Sequence, residues 1–197
     1  MAKHTFHLTP HAAGRLFQFI SSPIIRLIQL CFTLLAILFF SVGVGLASRY
    51  VRPCPYGDLG IDNDFCEKLA LGMMFLSFVW IAFLLLWHVL ERAKIHPGYY
   101  IGFDLYLGLS HLTLISVLFV FSAYILGSAD QVCAGSSDRE ESETCDQHVP
   151  LIKRVYITAY AFAWIVSLMH WIFFGVACRV CDVYDREKKA NKMAAGE

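Results

Sequence analysis

Three ionisable side chains lie inside long apolar stretches of the sequence, where they could do chemistry within a membrane: Asp104, His111 and His170. Asp104 is the only carboxylate in the four apolar stretches of the chain. A carboxylate at such a position can relay protons or bind a transported cation, and it can also pair with a cation and fasten helices together. We favour the second interpretation, in which Asp104 caps its helix or pairs with Arg26 or Arg92, over a role in transport.

The two histidines are candidate ligands for a prosthetic group. His111 and His170 lie at similar distances from the ends of their apolar stretches, so we expect them to share a depth in a helical bundle. Two facing imidazoles can hold a haem or a metal ion, and His88 could join them. We favour the simpler interpretation, in which each imidazole hydrogen-bonds to a neighbouring hydroxyl or backbone group. The sequence therefore predicts no metal, no cofactor and no catalytic residue.

Four cysteines form two pairs with the same separation of twelve residues, Cys54 with Cys66 and Cys133 with Cys145. Each pair falls in or beside one of two acidic loops, which we expect to face an oxidising compartment where paired cysteines form disulfides. Closing a loop of this size stabilises a fold by about 3 kcal/mol in the chain-entropy model. We favour one disulfide within each loop, although spacing alone leaves pairing between the loops open.

A redox interpretation of the cysteines is also open. Four-span proteins with a cysteine pair in each outward loop resemble the quinone-linked thiol oxidases of the bacterial inner membrane, whose reactive pair is typically spaced C-x-x-C. Only Cys178 and Cys181 have that spacing here, and they lie at the predicted cytosolic end of the fourth span. Acylation or a plain reduced thiol is expected there. We therefore favour structural disulfides over an oxidase.

The positioning elements are predicted from composition and from the apolar stretches. The chain has 197 residues, of which 57% are hydrophobic and only 16% are charged, against about a quarter charged in soluble domains. Its formal net charge of zero gives no reason to expect nucleic-acid binding. Four stretches are long enough to cross a bilayer, which predicts an all-α, integral membrane four-helix bundle. They cover residues of about 24–47, 69–90, 101–126 and 155–177.

Basic residues predict the orientation of these spans. They are concentrated in the N-terminal segment 1–23, in the hairpin between the second and third spans, and in the charged tail 179–197. The positive-inside rule therefore places both termini in the cytosol and both cysteine-bearing loops outside it, although Lys153 and Arg154 lie on the wrong side. The plasma membrane and the membranes of the secretory pathway are both compatible with this arrangement.

Small residues recur on two of the predicted spans. One group lies at the far end of the first span, and Ala159, Ala163 and Ser167 lie four residues apart on one face of the fourth. Such residues allow helices to approach closely. We expect them to pack inside the bundle rather than to form a homodimer. The group on the first span is Ser41, Gly43, Gly45 and Ala47.

A turn is predicted where the third span begins. Pro97 disfavours a helical conformation for His96, and Gly98 accepts turn conformations, so we expect the helix to begin near Tyr99. The sequence His-Pro-Gly here is followed by Gly102, Asp104 and Leu105, in the pattern G-x-D-L.

These features together resemble the MARVEL-type tetraspan proteins, which have four spans, cytosolic termini, a short inner hairpin and cysteine-bearing outer loops. The H-P-G and G-x-D-L residues at 96–105 more narrowly resemble a set of fungal four-span membrane proteins with MARVEL-like topology. The sequence marks of claudins and tetraspanins are absent. The resemblance implies a non-enzymatic role in membrane organisation, vesicle traffic or membrane apposition. The partners it implies are the lipid bilayer and other membrane proteins or a second copy of the chain.

Overall fold

The computed structural model describes residues 22–50, 65–89, 97–127 and 139–195, and almost all of this part of the chain is helical. Each of the four helices contains a stretch long and apolar enough to cross a membrane. The prediction of an all-helical protein with four candidate membrane spans is therefore confirmed. The helices are α1 (Pro23–Tyr50), α2 (Phe65–Val89), α3 (Pro97–Gly127) and α4 (Arg139–Ala195).

Several sequence-based predictions concern residues outside the described ranges. They include the N-terminal segment, most of the two cysteine-bearing loops, and Arg92 as a partner for Asp104. Two of the four paired cysteines, Cys54 and Cys133, are also outside these ranges, and Cys145 lies in α4 at a position whose side chain is not described. The predicted disulfides therefore stay predictions.

The third helix begins slightly earlier than the sequence pattern predicts. α3 starts at Pro97 rather than near Tyr99. Proline suits the first position of a helix, because its fixed φ angle is already helical and its missing N–H would have had no partner there.

The fourth helix is much longer than the apolar stretch that predicts it. The apolar stretch covers about residues 155–177, whereas α4 runs for 57 residues from Arg139 to Ala195. Near its C-terminal end, Asp182 accepts a hydrogen bond from Arg186 Nε at 3.1 Å, which supports the helix one turn apart.

The four helices pack in sequential order around the bundle. α1 packs against α2 and α4, and α3 packs against α4 and, more lightly, against α2. Short connections between successive spans produce this up-and-down arrangement, in which neighbours are antiparallel. The α3–α4 contact is the most extensive, and the α2–α3 contact is the thinnest of the four.

One half of the bundle interior is apolar and aromatic, and we call it the apolar half. It contains the end of α1, the start of α2, the end of α3 and the first membrane turns of α4. Tyr160 of α4 lies at its centre, with its ring edge-on to Phe40 at 5.0 Å and also against Phe119 at 5.4 Å. Edge-to-face pairs of this kind favour one mutual orientation of the helices.

The small residues of α4 lie inside the bundle, as predicted. Ala159, Ala163 and Ser167 are all buried. On α1 the prediction holds only in part. Gly43 is buried against the ring of Tyr156, whereas Gly45 has open space around it and is exposed. Because one face of a helix holds only every third or fourth residue, Gly43 and Gly45 cannot both face α4.

Gly43 and Gly45 provide a matched pair of substitutions. A Cβ atom at position 43 would overlap the Tyr156 ring, so Gly43→Ala is expected to destabilise the bundle by about 1–3 kcal/mol. Gly45→Ala meets no neighbouring atom and is expected to be neutral or to stabilise by up to about 1 kcal/mol through helix propensity. The free energy of unfolding, measured by denaturant titration in bicelles, distinguishes the two. Equal effects at both positions would contradict this packing of α1 on α4.

Candidate functional site

In the other half of the bundle interior, hydrogen bonds connect seven buried polar side chains, which we call the polar cluster. All four helices contribute to it, and none of the seven residues is more than 8% exposed. In a membrane span, buried polar groups must find partners within the protein. The members are Arg26 and Gln29 of α1, Ser77 and Trp80 of α2, Asp104 and His111 of α3, and His170 of α4.

Helical spacing brings these side chains to the bundle axis. Arg26 and Gln29 are three residues apart on α1, and Ser77 and Trp80 are three apart on α2. Asp104 is seven residues, or two turns, from His111 on α3. Each helix therefore presents its polar residues on one narrow face, and the surrounding positions of the same turns are apolar.

Asp104 is the centre of the cluster and accepts hydrogen bonds from three other helices. Arg26 Nη2 lies 2.8 Å from Oδ2, and its Nη1 lies 3.4 Å from Oδ1. His170 Nδ1 lies 2.8 Å from Oδ1, and Trp80 Nε1 donates to the same oxygen at 3.3 Å. An ionised carboxylate only accepts hydrogen bonds, so this ring of donors satisfies it. The predicted pairing of Asp104 with Arg26 is confirmed.

Three side chains contact the guanidinium group of Arg26. Its guanidinium pairs with Asp104, donates from Nη1 to Gln29 Oε1 at 2.9 Å, and lies over the ring of Phe173 at 4.1 Å from the ring centroid. A guanidinium suits this position because it donates in a fixed plane and stacks well on an aromatic face. The positive charge of Arg26 and the negative charge of Asp104 cancel within the interior.

The contacts of Arg26 determine which ring nitrogen of His170 carries hydrogen. A guanidinium has no acceptor, so Gln29 must turn its oxygen toward Arg26 and its NH2 group toward His170. Gln29 Nε2 lies 3.2 Å from His170 Nε2, which must therefore accept. The opposite nitrogen, Nδ1, faces the Asp104 carboxylate and must donate. His170 is consequently neutral, with its hydrogen on Nδ1.

His111 has the opposite tautomer. Its Nε2 lies 3.2 Å from the backbone carbonyl oxygen of Met73, which only accepts, and 3.0 Å from Ser77 Oγ. The hydrogen of His111 is therefore on Nε2. Ser77 Oγ accepts from His111, so its own hydroxyl hydrogen is available to donate elsewhere. It lies 3.3 Å from His170 Nε2, which accepts. His111 Nδ1 is buried and has no hydrogen-bond partner within the described part of the chain.

The structure brings together the three intramembrane residues that the sequence singled out. His111 and His170 share a depth, as predicted, with ring centroids 5.8 Å apart and planes nearly perpendicular. The expected hydrogen bonds to a hydroxyl and to a backbone carbonyl are also present. The two Nε2 atoms contact the same Ser77 hydroxyl. Within the described residues, no three His, Cys, Asp or Glu side chains form a group that could hold a metal ion.

Sequence analysis missed three members of the cluster: Gln29, Ser77 and Trp80. A signal for Gln29 exists, because Arg26, Gln29 and Thr33 form a polar stripe along an apolar helix at spacings of three and four. Ser77 and Trp80 have no such signal, since serine and tryptophan are common on lipid-facing or packed surfaces of spans. Only the tertiary arrangement shows that they face Asp104 and the histidines.

The cysteines that the structure describes are separate from the polar cluster. Cys66 is buried at the start of α2 and forms no disulfide within the described residues, while its predicted partner Cys54 lies outside them. Cys178 and Cys181 are half-buried free thiols near the end of the span in α4. Their predicted acylation stays a prediction, as does the haem or redox use of the buried residues.

Comparison of the chain with protein-family models, with curated protein sequences and with solved structures gave no significant match.

A double-mutant cycle tests the central ion pair. Arg26→Gln and Asp104→Asn each leave one buried charge without its counter-charge, and each is expected to cost about 3–5 kcal/mol of stability. The double variant has no buried charge in this pair and is expected to recover about 1–3 kcal/mol relative to the sum of the single effects.

The exposed pair of Asp182 and Arg186, at a comparable distance of 2.9 Å, is the control for this cycle. Its single variants, Asp182→Asn and Arg186→Gln, are expected to cost no more than about 1 kcal/mol, because water solvates the remaining charge. Denaturant titration in bicelles measures both cycles. If substitutions at Asp104 cost no more than those at Asp182, the buried pair does not hold the helices together.

Proposed function

We propose that this chain is a MARVEL-like four-span membrane protein with a structural or organising role, acting through lateral association with lipids or other membrane proteins. It catalyses no reaction on this proposal. The supporting observation is the polar cluster, in which the buried charges of Arg26 and Asp104 neutralise each other and tie four helices into one unit. A rigid unit of this kind presents a constant apolar surface to its surroundings.

The surface proposed for lateral association is an apolar stripe on α2. Apolar side chains along the outer face of α2 are exposed, and Val79 is 61% exposed. Neighbouring turns on this face contribute aromatic rings that can pack against acyl chains or against a second span. We call this face the α2 stripe, and it consists of Gly72, Phe75, Leu76, Val79, Phe83 and Leu86.

The remaining features of the proposal follow the sequence. Both termini are cytosolic, and the two cysteine-bearing loops face the lumen or exterior, where they form contact surfaces in membrane apposition or vesicle traffic. Each loop is stapled by one disulfide, Cys54 with Cys66 and Cys133 with Cys145. The protein resides in the plasma membrane or in a secretory-pathway membrane.

A second candidate is a small proton-coupled transporter. The observation that favours it is that Asp104, His111 and His170 form one connected hydrogen-bonded group with Ser77. Ionisable residues inside spans are often found along proton or ion pathways.

Lateral association is tested by substitution on the α2 stripe. In nanodiscs made directly from the native membrane, the wild-type protein is expected to copurify with itself or with another membrane protein. Val79→Trp is expected to reduce this association at least threefold, because the larger ring disrupts close packing on α2. Single-molecule photobleaching and quantitative cross-linking measure the change.

The control for that substitution lies on the opposite side of the bundle. Ile172 of α4 is 60% exposed, similar to Val79, and α4 is diagonal to α2. Ile172→Trp is expected to leave association unchanged. A wild-type protein that is strictly monomeric in native lipid and copurifies with no membrane protein would overturn the organising role, and a solute or proton flux abolished by Asp104→Asn would favour the transporter.

The loop disulfides are tested by mass mapping after rapid alkylation under non-reducing conditions. Cys54 is expected to be linked to Cys66 and Cys133 to Cys145, and both bonds are expected to survive a brief, mild pulse of thiol reductant. Rapid exchange of either pair, or bonds between the two loops, would contradict structural stapling. The remaining cysteines, Cys31, Cys178 and Cys181, serve as internal controls because they are free thiols or acylated thiols on this proposal.

A further inference from the structure

Three hydrogen bonds of the polar cluster follow one another with the same donor-to-acceptor direction, and we call them the hydrogen-bond chain. His111 Nε2 donates to Ser77 Oγ, Ser77 donates to His170 Nε2, and His170 Nδ1 donates to Asp104 Oδ1, over distances of 3.0, 3.3 and 2.8 Å. The direction is fixed at both ends, because Met73 O and the Asp104 carboxylate only accept. Every donor in this chain therefore points from His111 toward Asp104.

The starting end of the chain carries a vacant acceptor. His111 Nδ1 is buried, has no hydrogen-bond partner among the described residues, and holds a lone pair in the tautomer that the other contacts require. A buried polar atom without a partner is costly, and such atoms are retained where they have a use. A lone pair at the head of a chain of aligned donors is the arrangement that accepts and passes on a proton.

We propose that His111 Nδ1 is a proton-binding site, and that a proton bound there is passed through Ser77 and His170 to Asp104, which releases Arg26 from the bundle interior. The ligand of this site is the proton itself. The inference does not depend on the organising role, and it would supply the coupling step if the protein were a transporter.

The transfer conserves atoms and charge. A proton binds His111 at Nδ1, and the hydrogen on its Nε2 moves to Ser77 Oγ. The original Ser77 hydrogen moves to His170 Nε2, and the hydrogen on His170 Nδ1 moves to Asp104 Oδ1. Both imidazoles end neutral with their tautomers exchanged, the serine is unchanged, and Asp104 becomes a neutral acid. One proton enters, and no electron or covalent partner is required.

The new tautomer of His170 conflicts with the position of Gln29. After transfer, His170 Nε2 carries hydrogen and faces the NH2 group of Gln29 at 3.2 Å, so two donors oppose each other. Gln29 must rotate, and its oxygen then leaves Arg26. Arg26 thus loses the hydrogen bond that it donates to Gln29, and it loses the negative charge of Asp104, in one event. Its long side chain lies near the start of α1, from which a guanidinium can reach the headgroup layer.

The charged and titratable groups that face the hydrogen-bond chain come from three helices. α1 contributes Arg26, α3 contributes Asp104 and His111, and α4 contributes His170. In the described part of the chain, α2 contributes the uncharged Ser77 and Trp80 to the cluster. The net charge of the cluster is zero before proton binding and one positive after it. The added charge is on Arg26, the member nearest the membrane boundary.

Infrared difference spectroscopy of the protein in lipid bilayers tests the proton transfer. Acidification is expected to produce the carbonyl band of a protonated, buried carboxylic acid, and this band is expected to be absent from Asp104→Asn. His111→Gln keeps a donor near the position of Nε2 but cannot bind a proton. It is therefore expected to require an about tenfold higher proton concentration for the same band, or to lose it. His148→Gln, outside the cluster, is expected to titrate as the wild type does.

Nitrogen-15 NMR of the histidine rings, recorded on the same membranes, gives a readout that does not depend on substitution. At neutral pH we expect His170 to carry hydrogen on Nδ1 and His111 on Nε2, and we expect both to exchange tautomers as the carboxylic acid band appears. The proposal is overturned if His170 becomes doubly protonated while Asp104 stays ionised. It is also overturned if His111→Gln titrates as the wild type does, or if Asp104 stays ionised throughout the pH range in which the bundle is folded.

Discussion

A charged carboxylate within a membrane span must be surrounded by donors from its own protein, and the arrangement of this bundle depends on how Asp104 meets that requirement. The donors come from α1, α2 and α4, so the position of each of these helices relative to α3 is fixed by a bond of about 3 Å. Rotating or sliding any one helix by a residue would remove a donor and leave charge or polar surface exposed to hydrocarbon. The ion pair therefore specifies register more than it adds stability.

The polar and apolar halves of the interior contribute differently to the packing of the helices. Apolar surface gains little when helices associate within lipid, because acyl chains are as apolar as leucine. Close contact is therefore obtained by shape, with Gly43 against Tyr156 and Tyr160 between Phe40 and Phe119. The polar half determines how each helix is rotated about its axis, since hydrogen bonds form only at defined angles. The thin α2–α3 contact shows this division, because His111 and Trp80 bridge it with hydrogen bonds.

The sequence was sufficient for features that depend on one helix at a time. The length of an apolar stretch predicts a span, and a carboxylate inside a span predicts a nearby counter-charge or helix cap, although the sequence left Arg26 and Arg92 open as partners of Asp104. The depth of His111 and His170 likewise follows from counting residues along each span. Features that depend on the rotation of several helices were not predictable in this way. Ser77 and Trp80 face the interior only because α1 and α3 direct Arg26 and Asp104 toward the same point.

The length of α4 also could not be predicted from hydropathy. Apolar content identifies where a helix enters hydrocarbon, but it contains no information on where the helix ends in water. Near the C-terminal end of α4, the pairing of Asp182 with Arg186 supports the helix, whereas a hydropathy pattern registers these two residues only as polar. A polar segment next to a span can thus be an extension of it rather than a loop.

The length of α4 relative to its apolar stretch determines how the protein fits a bilayer. The apolar stretch of α4 covers about residues 155–177, which correspond to roughly 34 Å at 1.5 Å per residue. The whole helix has 57 residues, so it extends well beyond the hydrocarbon layer. α4 cannot slide along α3 to adjust, because His170 is bonded to Asp104 and Trp171 Nε1 donates to Gly108 O at 3.1 Å. A bilayer that differs in thickness from this stretch is therefore expected to tilt α3 and α4 together rather than to move one past the other.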